Sequence, residues 1–330
     1  MFYELSDINT WKFDLIVRSS RKRTNFAKIS SAMSSVHLKY LTVSPLDLLW
    51  GTAVHSVGFQ EIAPGMEYPP KEHPSRYVFS TGRGRVLNEY QLLYITKGGG
   101  RFSSASLGKG KFIRVEAGMM FLLFPGEWHS YYPDKASGWK EYWIGFTGTF
   151  ADDLAKNEFF SKDRPIFKVN IREDIVRLYN SAIEIAEAQE AGFQQVLAGI
   201  VGRLLSLAYY LDKNSLFKDS GAGDKISEAK VLVYGNYATI TPEEIAEKLC
   251  ISYSSFRKAF KEYTGLSPAK FINDVRMSKA KELLTNSNVS IKEIAYRVGY
   301  NNHDYFFTAF RHKTGQTPAE YRAQTQGLGL

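Results

Sequence analysis

Cysteine is almost missing from this 330-residue chain: Cys250 stands alone, which excludes an intrachain disulfide and any zinc site built on several thiolates. Long apolar runs are missing too. The longest strongly apolar stretch, Met119–Phe124, has six residues, whereas a bilayer-spanning helix needs roughly 20. No apolar segment ahead of a small-residue cleavage site follows the basic residues near the start, so no secretory signal is expected. Together these absences predict a cytoplasmic chain with no membrane partner. His129, in Pro125-Gly-Glu-Trp-His129, has no second histidine two residues away, and a metal-dependent barrel needs several close ligands. No Ser/His/Asp arrangement and no phosphate loop stands out. The expectation is therefore no catalytic residue, no metal and no cofactor.

Charge is distributed unevenly. The net +8 divides into +3 over residues 1–32, zero over 33–224 and +5 over 225–330. A neutral middle joined to a basic C-terminal part suggests that one domain faces a polyanion, although five excess charges also suit an ordinary solvated helical surface.

The C-terminal part contains a tandem pair. Thr241 to Pro268 and Ser290 to Pro318 share a pattern in which Ile245-Ala246 matches Ile294-Ala295 at an offset of 49. Phe260, Gly265 and Pro268 then match Phe310, Gly315 and Pro318 at an offset of 50, so the second copy has a turn one residue longer. Thr241 and Ser290 are helix N-caps, with Glu244 and Glu293 placed three residues on to complete capping boxes. Leu249 and Val298 close the first helix of each copy, and Gly299 relaxes the second turn. In the second helices, Phe256/Phe260 and Phe306/Phe310 face the core at i, i+4.

The opposite stripe carries the chemistry. In copy one it holds Ser254, Arg257, Lys258 and Lys261; in copy two it holds Asn302, His303, Asp304, Thr308 and Arg311, beside Phe307. Short polar groups and cations on a repeated helix-turn-helix face suit base edges and phosphates of double-stranded DNA. Pro268 to Leu284 reads as one helix of about 25 Å. It is long enough to hold two recognition helices near one DNA turn apart, roughly 34 Å.

Residues 227–323 resemble the DNA-binding domain of the AraC/XylS family. The resemblance rests on Ile294-Ala-x-x-Val-Gly-Tyr, Tyr305-Phe-x-x-x-Phe-Arg, Gly315-x-Thr-Pro-x-x-Tyr-Arg322, and the intervening Arg276-Met-x-x-Ala-x-x-Leu-Leu284. It implies base contacts from Ser254, Arg257 and Lys258, and from His303, Asp304 and Thr308. Asp304 departs from the Ser or Glu usual there. An acid repels phosphate but can accept from cytosine N4.

Ahead of this lies a region of short strands. Tyr90-Gln-Leu-Leu-Tyr-Ile-Thr runs into the glycine turn Lys97-Gly-Gly-Gly; Phe112-Ile-Arg-Val, Met119–Phe124 and Trp139-Lys-Glu-Tyr-Trp-Ile-Gly-Phe follow, separated by Gly/Pro turns. Such a series predicts a small barrel or jelly roll. Over residues 60–150 it is similar to the cupin-like effector domain of sugar-responsive AraC-type regulators. That resemblance aligns Tyr131, Glu141 and Trp143 with pocket positions, with Arg83 or Arg85 as a cation. Aromatic and polar groups together suit a sugar or polyol. Trp128, Trp139 and Trp143 equally suit a barrel core, but a buried Glu141 needs partners.

Residues 170–212 read as two helices, which the family resemblance makes a dimer interface and packing on the barrel would explain as well. The expected fold is α+β: an extension over 1–32, a cupin-like effector domain over 33–167, dimerisation helices over 168–212, a flexible linker over 213–226 and an all-α double helix-turn-helix over 227–325. Met33 is a candidate functional start. The function expected is a sequence-specific transcription regulator, an activator by resemblance, partnered by operator DNA, a carbohydrate effector, a second copy and RNA polymerase. The alternatives are a cupin-type enzyme with an appended DNA-binding domain and an effector-independent DNA-binding protein.

Overall fold

The computed structural model describes residues 36–70, 80–218 and 221–327; the expected 1–32 extension and Met33 lie outside them. Among the described residues the N-terminal half is an antiparallel barrel of nine strands: β1 (Val36–Tyr40), β2 (Ala53–Ile62), β3 (Arg85–Val86), β4 (Tyr90–Ser104), β5 (Ile113–Glu116), β6 (Met119–Leu123), β7 (Trp128–Pro133), β8 (Trp139–Thr147) and β9 (Ile166–Lys168). Short helix α1 (Pro45–Leu48) joins β1 to β2, and α2 (Thr149–Lys156) follows β8. Neighbours run in the order β1-β2-β8-β4-β6-β9, while β7 bridges β3 and β4, and β5 pairs with β4.

Strand β4 makes the barrel possible. Its first half pairs with β6 and β8, and its second half with β5 and β7. The glycines read from sequence as a turn are instead the corner of one continuous 15-residue strand. A Cβ at Gly98 (φ 75°) would lie 2.1 Å from the Gly138 carbonyl oxygen, and one at Gly100 would lie 2.1 Å from that of Tyr132. Only glycine lets the backbones approach this closely while the strand bends.

The period-two alternation of each strand separates two cores. Leu92, Tyr94, Tyr142, Ile144 and Phe146 pack outward with α3 (Glu173–Ala188) and α4 (Phe193–Lys218). Leu93, Ile95, Phe121, Tyr131, Trp139 and Trp143 fill the interior. Helix α4 is tied to the barrel by Gln194, 2% exposed, whose amide accepts the Val54 N–H and donates to the Val54 carbonyl, both at 2.9 Å. That bond pair covers β2 next to its register shift between Val54 and Ser56.

The flexible linker expected over 213–226 is mostly helix. Helix α4 runs on to Lys218, and α5 (Ala222–Asn236) begins four residues later. Lys213 to Lys218 continue an apolar face that ends in buried Phe217, which stacks edge-on against Tyr263 at 5.0 Å.

The C-terminal half is helical: α6 (Pro242–Lys248), α7 (Tyr253–Thr264), α8 (Pro268–Asn286), α9 (Ile291–Arg297), α10 (His303–Thr314) and α11 (Pro318–Thr325). It has two cores. Ile245, Phe256, Phe260, Ile272 and Val275 belong to the first, and Met277, Leu284, Ile294, Phe306 and Phe310 to the second. Helix α8 therefore contributes its first half to one core and its second half to the other. Midway, Arg276 donates to the Tyr237 and Ala238 carbonyls at 2.7 and 3.2 Å.

Candidate effector pocket and DNA-reading face

Alternation along β8 points Trp139, Glu141 and Trp143 inward, between Gln60 of β2 and Leu93 of β4. Glu141 and Trp143, together with Tyr40, Gln60, Tyr68, Arg85, Gln91, Leu93 and Tyr131, line a narrow cavity, while Trp139 packs in the barrel core beside it. Trp143 can lie flat against β2 because Gly58 has no side chain; a Cβ there would sit 2.3 Å from its ring. Polar groups are thus set into aromatic walls, the arrangement that orients a small ligand.

Glu141 is the centre of this polarity. It is 1% exposed, and its Oε1 accepts from the Gln60 amide and, at 3.1 Å, from the Tyr68 hydroxyl. Burial pushes its pKa up to about 7, while the bonds from Gln60 and Tyr68 pull the other way. Tyr68, buried beside this carboxyl, has its own pKa driven far upward and stays a donor.

The other end of the cavity is cationic. Arg85 donates through Nη2 to the Tyr131 hydroxyl at 2.7 Å and through Nε to His129 Nε2 at 3.3 Å. That second bond requires Nε2 to be an acceptor, which leaves the proton on Nδ1, facing the Glu127 carbonyl at 3.1 Å. Burial, reinforced by the Arg85 charge, lowers the His129 pKa to about 3. His129 is therefore a neutral prop for Arg85.

Of the residues singled out from sequence, Arg85, Tyr131, Glu141 and Trp143 meet in this cavity. Arg83 does not. It sits exposed in the turn before β3, where its carbonyl accepts from the Trp128 indole at 2.9 Å. Tyr40, Gln60, Tyr68 and Gln91 were not foreseen. Gln60 and Tyr68 stand 81 and 73 residues from Glu141, so no local spacing links them.

In the C-terminal half, each copy sets a second helix on the first across a short turn. Thr241 and Glu244 form a complete capping box on α6. On α9 only half the expected box exists: Ser290 accepts from the Glu293 amide, but the Glu293 carboxylate turns to Arg297 at 2.9 Å. The i, i+4 ion pair replaces the second capping bond. Gly299, at φ 89°, packs so tightly that a Cβ would approach the Ala238 carbonyl oxygen to 2.1 Å. The matching position in copy one is Cys250, also left-handed at φ 53°. The second recognition helix starts after one extra residue and is capped by Asn302, which accepts from the amides of Asp304 and Tyr305.

Phe256 and Phe260 are fully buried, as are Phe306 and Phe310. Ser254, Arg257, Lys258 and Lys261 on α7 are exposed, as are Asp304, Thr308 and Arg311 on α10 and Asn302 at its cap; His303 is half-buried. His303 Nε2 lies 3.2 Å from the Asp304 carboxylate, and Thr308 donates back to the Asp304 carbonyl at 3.0 Å. Phe307 is partly buried against the second core. Face one is strongly cationic, whereas face two mixes signs.

A ligand cavity in a barrel joined to a double helix-turn-helix defines a DNA-binding transcription regulator with a ligand-binding domain. The AraC-like ligand binding domain family matches residues 64–219, and a helix-turn-helix domain family matches residues 245–324. The chain thus carries an AraC-like ligand-binding domain and a helix-turn-helix domain, and it is similar to AraC-family regulators. It is 28% identical to the Msm operon regulatory protein of Streptococcus mutans, over 66% of this chain and 82% of that one. It is 27% identical to the raffinose operon transcriptional regulatory protein RafR of Pediococcus pentosaceus, over 72% and 86%. Similarity to the HTH-type transcriptional activator RhaS of Citrobacter koseri is 28% over 44% and 54%. No described helix is long and apolar enough to cross a membrane.

Proposed function

We propose that the barrel cavity binds a sugar and that this binding controls how the two recognition helices meet operator DNA. The observation carrying this is the buried Glu141, hydrogen-bonded by Gln60 and Tyr68 and set opposite Arg85 within walls formed by Trp143 and Tyr131. A carboxylate and a guanidinium in one cavity can serve the hydroxyls of a neutral polyol from both sides, while the rings cover its C–H faces. A relative named for the raffinose operon supports the same ligand class.

The DNA-contacting residues in this proposal are Ser254, Arg257, Lys258 and Lys261 from α7, and Asn302, His303, Asp304, Thr308 and Arg311 from α10 and its cap. The domain division follows the barrel to 167, the helix pair from 168 and the DNA-binding unit over 227–325. A homodimer forms through α4, whose outward positions Val196, Gly199, Arg203, Ser206 and Tyr210 repeat at alternating steps of three and four. Exposed Leu46, Leu49 and Trp50 of the α1 region lie beside that face, where Gln195 reaches Asp47 at 3.3 Å. The regulator acts as a cytoplasmic activator contacting RNA polymerase, in keeping with a relative named as an activator.

Isothermal titration of the full chain with a panel of sugars tests the proposal, alongside gel-shift assays on sites selected from random DNA. At least one sugar should give heat and change DNA affinity, and Glu141→Ala should abolish the heat. Silence toward every sugar, with DNA binding intact, would favour the effector-independent alternative.

A further inference from the structure

Two cavities meet at Tyr68–Pro69. The inner one is the pocket around Glu141. The other is an open groove of about 740 Å³ at the barrel rim, between the chain following β2 and the β7–β8 connection. Tyr68 and Pro69 line both.

The groove has its own recognition chemistry. Arg101 is exposed, with its guanidinium 4.4 Å over the Phe112 ring. Asp134 is held by Arg114 at 2.5 Å. Tyr132 presents a half-buried ring between these charges. Glu67 and Lys135 complete a lining with equal numbers of acids and bases. A balanced lining gives no advantage to a polyanion, while an aromatic ring flanked by charged hydrogen-bonding groups suits a second sugar ring.

We infer that the effector is an elongated neutral oligosaccharide, with one terminal ring in the inner pocket and the following rings laid along the groove. This rests on the sugar assignment of the inner pocket. With the Tyr68 hydroxyl on Glu141, the inner cavity has little free room, so a single terminal ring enters only by displacing that hydroxyl and the rest of a longer chain stays outside. The Tyr68 hydroxyl, donating to both Glu141 oxygens at 3.1 and 3.4 Å, occupies the place of a sugar hydroxyl. The entering ring takes over those bonds, and its glycosidic oxygen then points past Pro69 to the groove. A terminal phosphate is disfavoured at the inner site, because it would lie beside the Glu141 carboxylate.

The test is calorimetric titration of the full chain with two length series: galactose, melibiose and raffinose, and glucose, maltose and maltotriose. In at least one series, affinity should rise about tenfold or more from mono- to trisaccharide. Arg101→Ala combined with Tyr132→Ala should cut trisaccharide affinity about tenfold and leave the monosaccharide unchanged. Arg101→Ala alone, at an exposed position, should show part of the same loss should the double variant fold poorly. A monosaccharide that binds as tightly as its trisaccharide, or groove variants that bind every length normally, would overturn the inference while leaving a sugar sensor in place. No heat from any saccharide would defeat the sugar assignment itself, and the inference with it.

Discussion

Replacing Glu141 by glutamine keeps the shape of the pocket and removes one buried titration. The carboxyl ionises near 4.5 in an unfolded chain but at about 7 in the folded barrel. Its contribution to stability is therefore fully present below pH 4.5 and is lost as pH rises toward 7, where the fold must carry a buried charge. At 1.36 kcal/mol per pH unit the loss totals about 3 kcal/mol. His129 works in the opposite direction. Its pKa falls from 6.5 to about 3, so its contribution is present above pH 6.5 and is lost as pH drops toward 3. Between 4.5 and 6.5 the two slopes cancel in the wild type. Glu141→Gln should uncover the His129 slope, so that the variant gains on the wild type by about 1.4 kcal/mol per pH unit from 4.5 to 7 and levels off above. All five tryptophans lie in residues 1–143. Trp50, Trp128, Trp139 and Trp143 belong to the barrel domain, so urea unfolding of a Trp11→Phe background followed by tryptophan fluorescence reports that domain, and subtracting the two profiles cancels the other carboxylates. Parallel profiles across pH 4.5–8 would refute the assignment of a strained buried acid.

Three further expectations follow from particular contacts. Gly299→Ala should destabilise the helical domain by more than the roughly 1–2 kcal/mol of a left-handed alanine, because its Cβ meets the Ala238 carbonyl. Cys250→Gly, at the matching turn, should instead stabilise it by up to about 1 kcal/mol. Helix melting by circular dichroism distinguishes the two, and equal effects would contradict the tight packing at Gly299. Gln194→Leu leaves the Val54 amide and carbonyl buried without partners, a loss of about 2–5 kcal/mol visible in the same fluorescence assay; a loss under about 1 kcal/mol would mean that water replaces the amide. On the DNA side, Arg257→Ala should weaken operator binding by about 1–3 kcal/mol if it reads a guanine, while Asp304→Asn should tighten binding to random DNA. Equal Arg257→Ala losses on both DNAs would assign it to phosphate, and an Asp304→Asn variant unchanged on either would place that residue away from the duplex.

The helix-turn-helix pair was legible because its determinants are local: caps, Phe pairs and glycines recur at fixed offsets, and the fold reproduces them. The half-formed box on α9 was not legible, since Arg297 competes for Glu293 one turn along the helix. In the barrel, Trp139, Glu141 and Trp143 show their alternation directly. Strand β2 hides its own, because residues on both its faces are buried, one against the helices and one inside the barrel. Gln60 went unseen for that reason. Tyr68 belongs to no strand and acquires its role only from the chain crossing the cavity. Arg83 and Arg85 are equivalent in sequence, and only the pairing of Arg85 with His129 across β3 and β7 decides between them. The segment 213–218 carries no helix-breaking residue, and the apolar face of α4 simply continues to Phe217.

The helix shared between the two DNA-binding cores has a consequence for the layout of a promoter. In the proposed reading α8 gives its two ends to unequal DNA-facing helices, one cationic and one of mixed charge, so a single chain has no twofold symmetry of its own. Its binding sequence must then have a head and a tail. The barrel is joined to the end that carries the cationic reader, so the direction in which the sequence is written dictates on which flank the sensor stands. Inverting such a site in place would leave every base contact intact and still turn the sensor to face the other way along the DNA.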